Sequence, residues 1–153
     1  MMDIIICRIK YPNDPTGNTN VHQHFIGSFE GSILELYSIS SIMGKEYKVY
    51  SEEGNPNEGY YLIIGEEQLE CKLRVPSFID CTKSYILKMS EDVDISKLNG
   101  RAIPIDIREK IADKISLMKE NKKLKRYCID MNEFISINNK VKNNFRISKN
   151  STM

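Results

Sequence analysis

The sequence predicts an α+β domain: a twisted antiparallel, barrel-like sheet with C-terminal helices packed on it. Three observations carry this. Short apolar runs separated by turn residues fill the chain up to about residue 100. Beyond them the period changes, with Ile107, Ile111, Ile115 and Met118 recurring at i, i+4, i+8 and i+11, one face of a helix. Strands first and helices last, in 153 residues with no repeat and no low-complexity linker, give a single domain over 1–153, β-rich over 1–100 and helical and basic over 101–153.

The elements follow in order. DIIICRIK, residues 3–10, is the first strand. YPNDPTGNTN, with two prolines, a glycine and four Asn/Asp residues, is a long loop. HFIGSF and ILELYSIS form a pair of strands around Glu30-Gly31-Ser32, and KEYKVYS is the next strand. EEGNPNEG is the polar tip of a hairpin. YYLIIG, QLECKLRV and SYILKM complete the strand set. Pro104 stands just before the first helix, where a proline is tolerated, and Asn121-Lys122-Lys123 ends its apolar pattern. A second helix starts after Asp130, with Glu133 completing a capping box and Met131, Phe134, Ile135 and Val141 on one face. KVKNNFRISKNSTM is basic and Asn-rich and is expected to fray.

Composition narrows the class. Apolar content of 41% and charged content of 28% are those of a soluble globular chain. No apolar run reaches the roughly 18 residues a membrane helix needs. The N-terminus lacks the basic region and cleavage site of a signal peptide, so it reads as a strand of a cytoplasmic protein. Cysteines 7, 71, 81 and 128 form no C-x-x-C pair, which favours free thiols in a reducing compartment, while spacing alone leaves a disulfide open. The net charge of +1 hides an asymmetry. Residues 1–107 carry 10 Lys/Arg against 16 Asp/Glu, net −6, and residues 108–153 carry 12 against 5, net +7. A basic last third suits a polyanion, and equally a solvated charged helix.

Three groups of residues could carry chemistry. Ser40 and Ser41 end a strand, Gly44 permits a tight turn, and Lys45 supplies a flexible cation. Two hydroxyls and an ammonium make a phosphodiester cradle, and they are also ordinary loop composition. His22 and His24 lie on one side of a strand, with Gln23 on the other. Imidazoles near neutral pKa suit general acid/base work, and the pair also reads as surface polar residues. With no further ligand at sensible spacing, neither a metal nor a cofactor is expected. Arg74, Ser77, Lys83 and Ser84, with Phe78 and Tyr85, mix cations, hydroxyls and rings in a way that suits single-stranded RNA or a half-buried strand. There is no P-loop, no dinucleotide fingerprint, no G-x-S-x-G and no H-E-x-x-H.

Taken in order, the DIIICRIK strand, the YPNDPTGNTN loop, a strand opening at HFIG, a strand ending Ile-Ser-Ser, PSFIDCTKSYIL, an N-G-R segment and a helix beginning IREKIADKI resemble the MazF/PemK superfamily of endoribonuclease toxins. The likeness is closest to the ToxN and CptN branch, the toxins of type III toxin–antitoxin systems, whose antitoxin is a structured RNA. It covers roughly residues 1–120. The family's Thr-Ser falls on Ser40 and Ser41. Its lysine falls on Lys45, two residues later than the family pattern. Its basic residue before F-I-G falls on Gln23, which carries no charge, so His22 or His24 takes that role. The resemblance implies metal-independent cleavage. A base helps the ribose 2′-OH attack phosphorus, the 5′-oxygen leaves with a proton, and a 2′,3′-cyclic phosphate remains. Histidine and Lys45 would serve proton and charge, and Ser40 and Ser41 orientation. It further implies a closed toxin–RNA hetero-oligomer, with Lys122, Lys123, Lys125 and Arg126 on the antitoxin backbone. Two other readings stand beside it: a barrel that binds RNA or protein without cutting, and an immunity or anti-defence protein whose acidic first two-thirds mimics nucleic acid.

Overall fold

A long hairpin organises the sheet. β2 (Val21–Glu30) and β3 (Ile33–Ser41) run antiparallel from Glu30↔Ile33 to Gln23↔Ile39, joined where Gly31 takes a positive φ of 60°. β1 (Ile4–Arg8) pairs with β2, and the short β7 (Gly100–Arg101) lies on the outer side of β1. The structure, a computed structural model, describes residues 2–143.

On its other side β3 has two successive partners. Its first half pairs with β6 (Lys83–Lys88) and its last three residues pair with β5 (Ser77–Asp80). β5 and β6 are therefore one line of chain broken at Cys81-Thr82, where Asp80 Oδ1 accepts the amide and hydroxyl of Thr82. From this fork β4 (Tyr60–Ile63) adds to β5, while β8 (Lys125–Cys128) adds to β6 in parallel. The result is an eight-stranded, mostly antiparallel sheet curled into a half-barrel, in an α+β fold.

Both faces are covered. On one, Phe25, Tyr37, Ile39, Ile63 and Ile79 pack against Ile107, Ile111 and Met118 of α3 (Ile105–Glu120). On the other, Ile5, Leu34, Leu36 and Leu87 pack against Phe134 of α4 (Met131–Ile137) and Val141. Both helices stand where the apolar period predicts them. Asp130 caps α4 by accepting the amide of Glu133. Val141 joins the same cluster from a single 3-10 turn rather than from α4 itself.

Two predicted strands are helical. KEYKVYS contains α1 (Glu46–Val49), because Gly44 at φ 82° turns the chain and burial of Val49 needs only one helical turn. QLECKLRV contains the end of α2 (Glu66–Glu70), and Lys72 at φ 57° breaks the extended path. Its alternation is met by burying Cys71 and Leu73 from a turn while Leu69 stays exposed. Of the basic residues Lys122, Lys123, Lys125 and Arg126, the last two lie on the strand β8. All four cysteines are free, and only Cys128 is exposed. Among the described residues no helix is long and apolar enough to cross a membrane. Most of the basic C-terminal stretch, from residue 144, lies outside the described residues.

Candidate functional site

The strand ends of β2 and β3 meet at one end of the sheet. His24 lies opposite Ser38 and Gln23 opposite Ile39, so the two histidines share a face with Ser38 and Ser40, and Gln23 shares the other with Ser41. β5 continues the rows, with Phe78 beside Ser40 and Ser77 beside Ser41. Two hollows adjoin here. A cavity of about 350 Å³ is lined by His22, Gln23, Ser40, Ser41 and Ser77 with aliphatic walls. A polar groove of about 160 Å³ runs over Ser38, Ser40, Phe78 and Asp80, between Tyr11 and Tyr85 and the lysines 48 and 83. Ser40 lines both.

Cations converge on the groove. Burial, and then the charge of Lys45, hold the His22 imidazole below its ordinary value, so it is neutral at pH 7. Burial, then Lys45, also lowers the Lys48 ammonium; Asp80 opposes this shift and Lys83 adds to it. Lys48 stands 5.7 Å over the Phe78 ring. Lys83 is 3.8 Å from Asp80, and a second carboxylate, Asp14, also lines the groove. Among the described residues neither Lys45 nor Lys48 has a carboxylate within salt-bridge distance, and the Ser40 hydroxyl has no hydrogen bond. Lys48 and Lys83 in the groove, a neutral His22 in the adjoining cavity, Lys45 close enough to act on both His22 and Lys48, and the unengaged Ser40 hydroxyl between the two hollows suit an anion such as a phosphodiester.

The second histidine does something else. His24 is completely buried, its Nε2 2.6 Å from the Tyr11 hydroxyl and its Nδ1 3.4 Å from Cys7 Sγ. Burial and then the His22 charge push its pKa down to about 3, so it carries no proton to or from a ligand in the groove. Its effect is on Tyr11, which packs 4.6 Å from Tyr85 and forms a wall with it. The Tyr85 hydroxyl donates to Asn13 Oδ1 at 3.2 Å and holds the 11–20 loop over the groove.

The remaining predicted residues divide. The Ser41 hydroxyl accepts the amide of Met43 at 3.2 Å, so it caps the turn as well as lining the cavity. Gln23 Oε1 accepts from Arg101 Nη2 at 2.5 Å, and Arg101 Nε donates to the Cys71 carbonyl at 2.9 Å. A cation from β7 thus stands against Gln23. Lys125 lies beside Lys83 across β6 and β8 and extends its line of charge, with Tyr127 stacked 5.7 Å from Tyr85. Arg126 faces away, 3.5 Å from the nearly buried Glu35, and Lys123 pairs with Glu58. Lys122, at φ 58°, is exposed just past α3, and exposed Arg74 lines neither hollow. Ser84 is fully buried, which removes it from contact with RNA.

Sequence reading missed Lys48, Tyr11, Asp80 and Arg101. Lys48 follows Lys45 at i+3, the spacing that puts two side chains on one helical face, but the segment reads as a strand. Among the described residues, no group of three or more His, Cys, Asp or Glu side chains is arranged to hold a metal ion. No family model matches the chain, and no curated protein matches it.

Proposed function

We propose that the protein is a metal-independent endoribonuclease of the MazF/PemK-like kind. It cleaves single-stranded RNA through attack of the 2′-OH to leave a 2′,3′-cyclic phosphate, and a structured RNA antitoxin holds it inactive in the cytoplasm in a closed toxin–RNA assembly. One observation supports this most: His22, neutral and beside Lys45, lines a cavity with Ser40 and Ser41, and Ser40 also lines the adjoining groove that holds Lys48 and Lys83. His22 takes the proton of the 2′-OH. Lys45 and Lys48 face the charge that builds on the non-bridging oxygens. Ser40 donates to one of those oxygens, and an ammonium or bound water returns a proton to the 5′-oxygen. Lys83 and Lys125 hold the flanking phosphate.

Incubating a single-stranded RNA with the protein in EDTA tests this. Products ending in cyclic phosphate are expected, and His22→Gln is expected to lower the rate by about 10²–10⁴-fold while binding persists. Intact RNA with a folded, RNA-binding protein would sink the enzyme and leave a second reading, a binding module without cleavage. That reading draws on the rings along one wall, Tyr11–Tyr85 and Tyr85–Tyr127, which suit stacking on bases.

A further inference from the structure

We propose that the cavity on the Gln23 side of the strand ends is a pyrimidine subsite, which seats the base of the nucleotide whose phosphate lies against Ser40 and His22. The inference rests on the RNA reading above and adds a base preference to it. Three polar groups on the Gln23 side of the cavity have fixed hydrogen-bonding senses. Gln23 is clamped: its Oε1 accepts from Arg101 Nη2, and Arg101 is itself held by the Cys71 carbonyl. A flipped amide would put its NH2 group against a guanidinium that can only donate, so Gln23 offers a ligand its N–H donors. Ser77 gives its proton to the Val75 carbonyl at 2.9 Å and has only oxygen lone pairs left. Ser41 already accepts from Met43 and keeps its O–H. The Gln23 side of the cavity therefore shows two donor groups, an amide NH2 and a hydroxyl, and one acceptor, while Ser40 and His22 on its other side are left to the phosphate.

That set matches pyrimidines. Cytosine presents two acceptors, O2 and N3, and one donor, its amino group. Uracil presents two acceptors, O2 and O4, and one donor, N3–H. The pairing edge of guanine has the reverse count, and that of adenine has a single acceptor. A purine presenting its pairing edge here would leave a donor of the half-buried Gln23 or Ser41 unpaired, a mismatch that discriminates. Ile39 and Val75 provide apolar walls for the faces of a flat ring. The neighbouring groove, with its lysines, takes the phosphate.

The test is equilibrium binding of the four nucleoside 3′-monophosphates to the whole protein, followed by calorimetry or by the side-chain amide resonances of Gln23. Cytidine and uridine 3′-monophosphates are expected to bind about tenfold or more tightly than the purine pair. Gln23→Glu keeps a partner for Arg101 but removes the donor, and is expected to abolish the preference. Arg101→Gln frees the amide to turn and is expected to bring all four ligands within about twofold of one another. Equal affinity for all four in the unaltered protein, or a purine preference, overturns the subsite. Mapping cuts in a random-sequence RNA separates this from the nuclease reading. Cuts without a pyrimidine at a constant position sink the subsite and keep the nuclease. Absence of cuts alongside a measured pyrimidine preference sinks the nuclease and keeps the subsite.

Discussion

Lys45 and His22 act on one another: the ammonium adds to burial in keeping the imidazole unprotonated. A depressed pKa means that His22 is in its basic form throughout the neutral range and charges only as pH falls below the ordinary 6.5. Cleavage is expected to decline on the acid side at the His22 pKa. Lys45→Met removes the like charge, so that pKa rises and the acid limb moves to higher pH. Single-turnover rates across pH 4.5–8 read the shift. A limb that stays in place in the variant would mean that Lys45 does not reach the base.

Lys125 and Arg126 are neighbours in sequence with opposite duties. Lys125 extends the row of charge from Lys83, whereas Arg126 turns to Glu35 on the other face. Lys125→Ala is expected to weaken RNA binding and to reduce the salt slope by about one, with stability nearly unchanged. Arg126→Ala is expected to cost about 1 kcal/mol of stability, since half of that side chain is in water, with little change in salt slope. Filter binding at several salt concentrations and urea melts of both variants check the assignment.

His24 predicts an acid-sensitive fold. The unfolded chain takes up a proton near pH 6.5, but the buried imidazole does so only near 3. The unfolded state therefore binds more protons between those values. Stability is full above 6.5 and falls toward 3, at up to about 1.4 kcal/mol per pH unit. His22, also depressed, adds in the same direction. Asp14 and Asp94, lowered by their bonds to Thr16 and Ser96, lose their contribution only below 3.8. In His24→Asn the slope between pH 6 and 4 is expected to be much shallower, even though the variant is less stable at pH 7. Denaturant midpoints across that range decide it.

Gly27 sits at the bulge of β2, where a Cβ would run into the ring of Tyr37. Tyr37 is buried and its hydroxyl donates to Glu35 at 2.5 Å, so the ring has little room to yield. Gly27→Ala is expected to cost about 1–3 kcal/mol. A thermal midpoint equal to that of the unaltered protein would show that the strand can shift to make room.

How far the sequence could be read depended on whether burial followed a simple period. Ile107, Ile111 and Met118 bury one stripe of one helix, and that helix was legible. The β2–β3 hairpin announced itself through Glu30-Gly31-Ser32. Val49 and Leu73 are buried from a single turn and a loop, where apolar alternation imitates a strand. The parallel pairing of β8 with β6 joins residues far apart in sequence, and no local pattern encodes it. The same holds for the site. Ser40 and His22 lie at strand ends that the hairpin register brings together, whereas Lys48 and Arg101 arrive through tertiary packing. Ser84 has the composition of a binding residue but falls on the inward side of β6.

β8 is synthesised after every other strand of this sheet, yet it places Lys125 and Tyr127 beside the groove residues Lys83 and Tyr85. A nascent chain carries His22 and Ser40 long before it carries that strand. The register that builds the serine–histidine corner is thus encoded early in the chain, and the row of charge beside β6 comes from a late segment. A chain cut short ahead of residue 125 loses that second row of charge and, with it, the Phe134 and Val141 packing that covers one face of the sheet, so the charge beside the groove and the cover of the sheet stand or fall together.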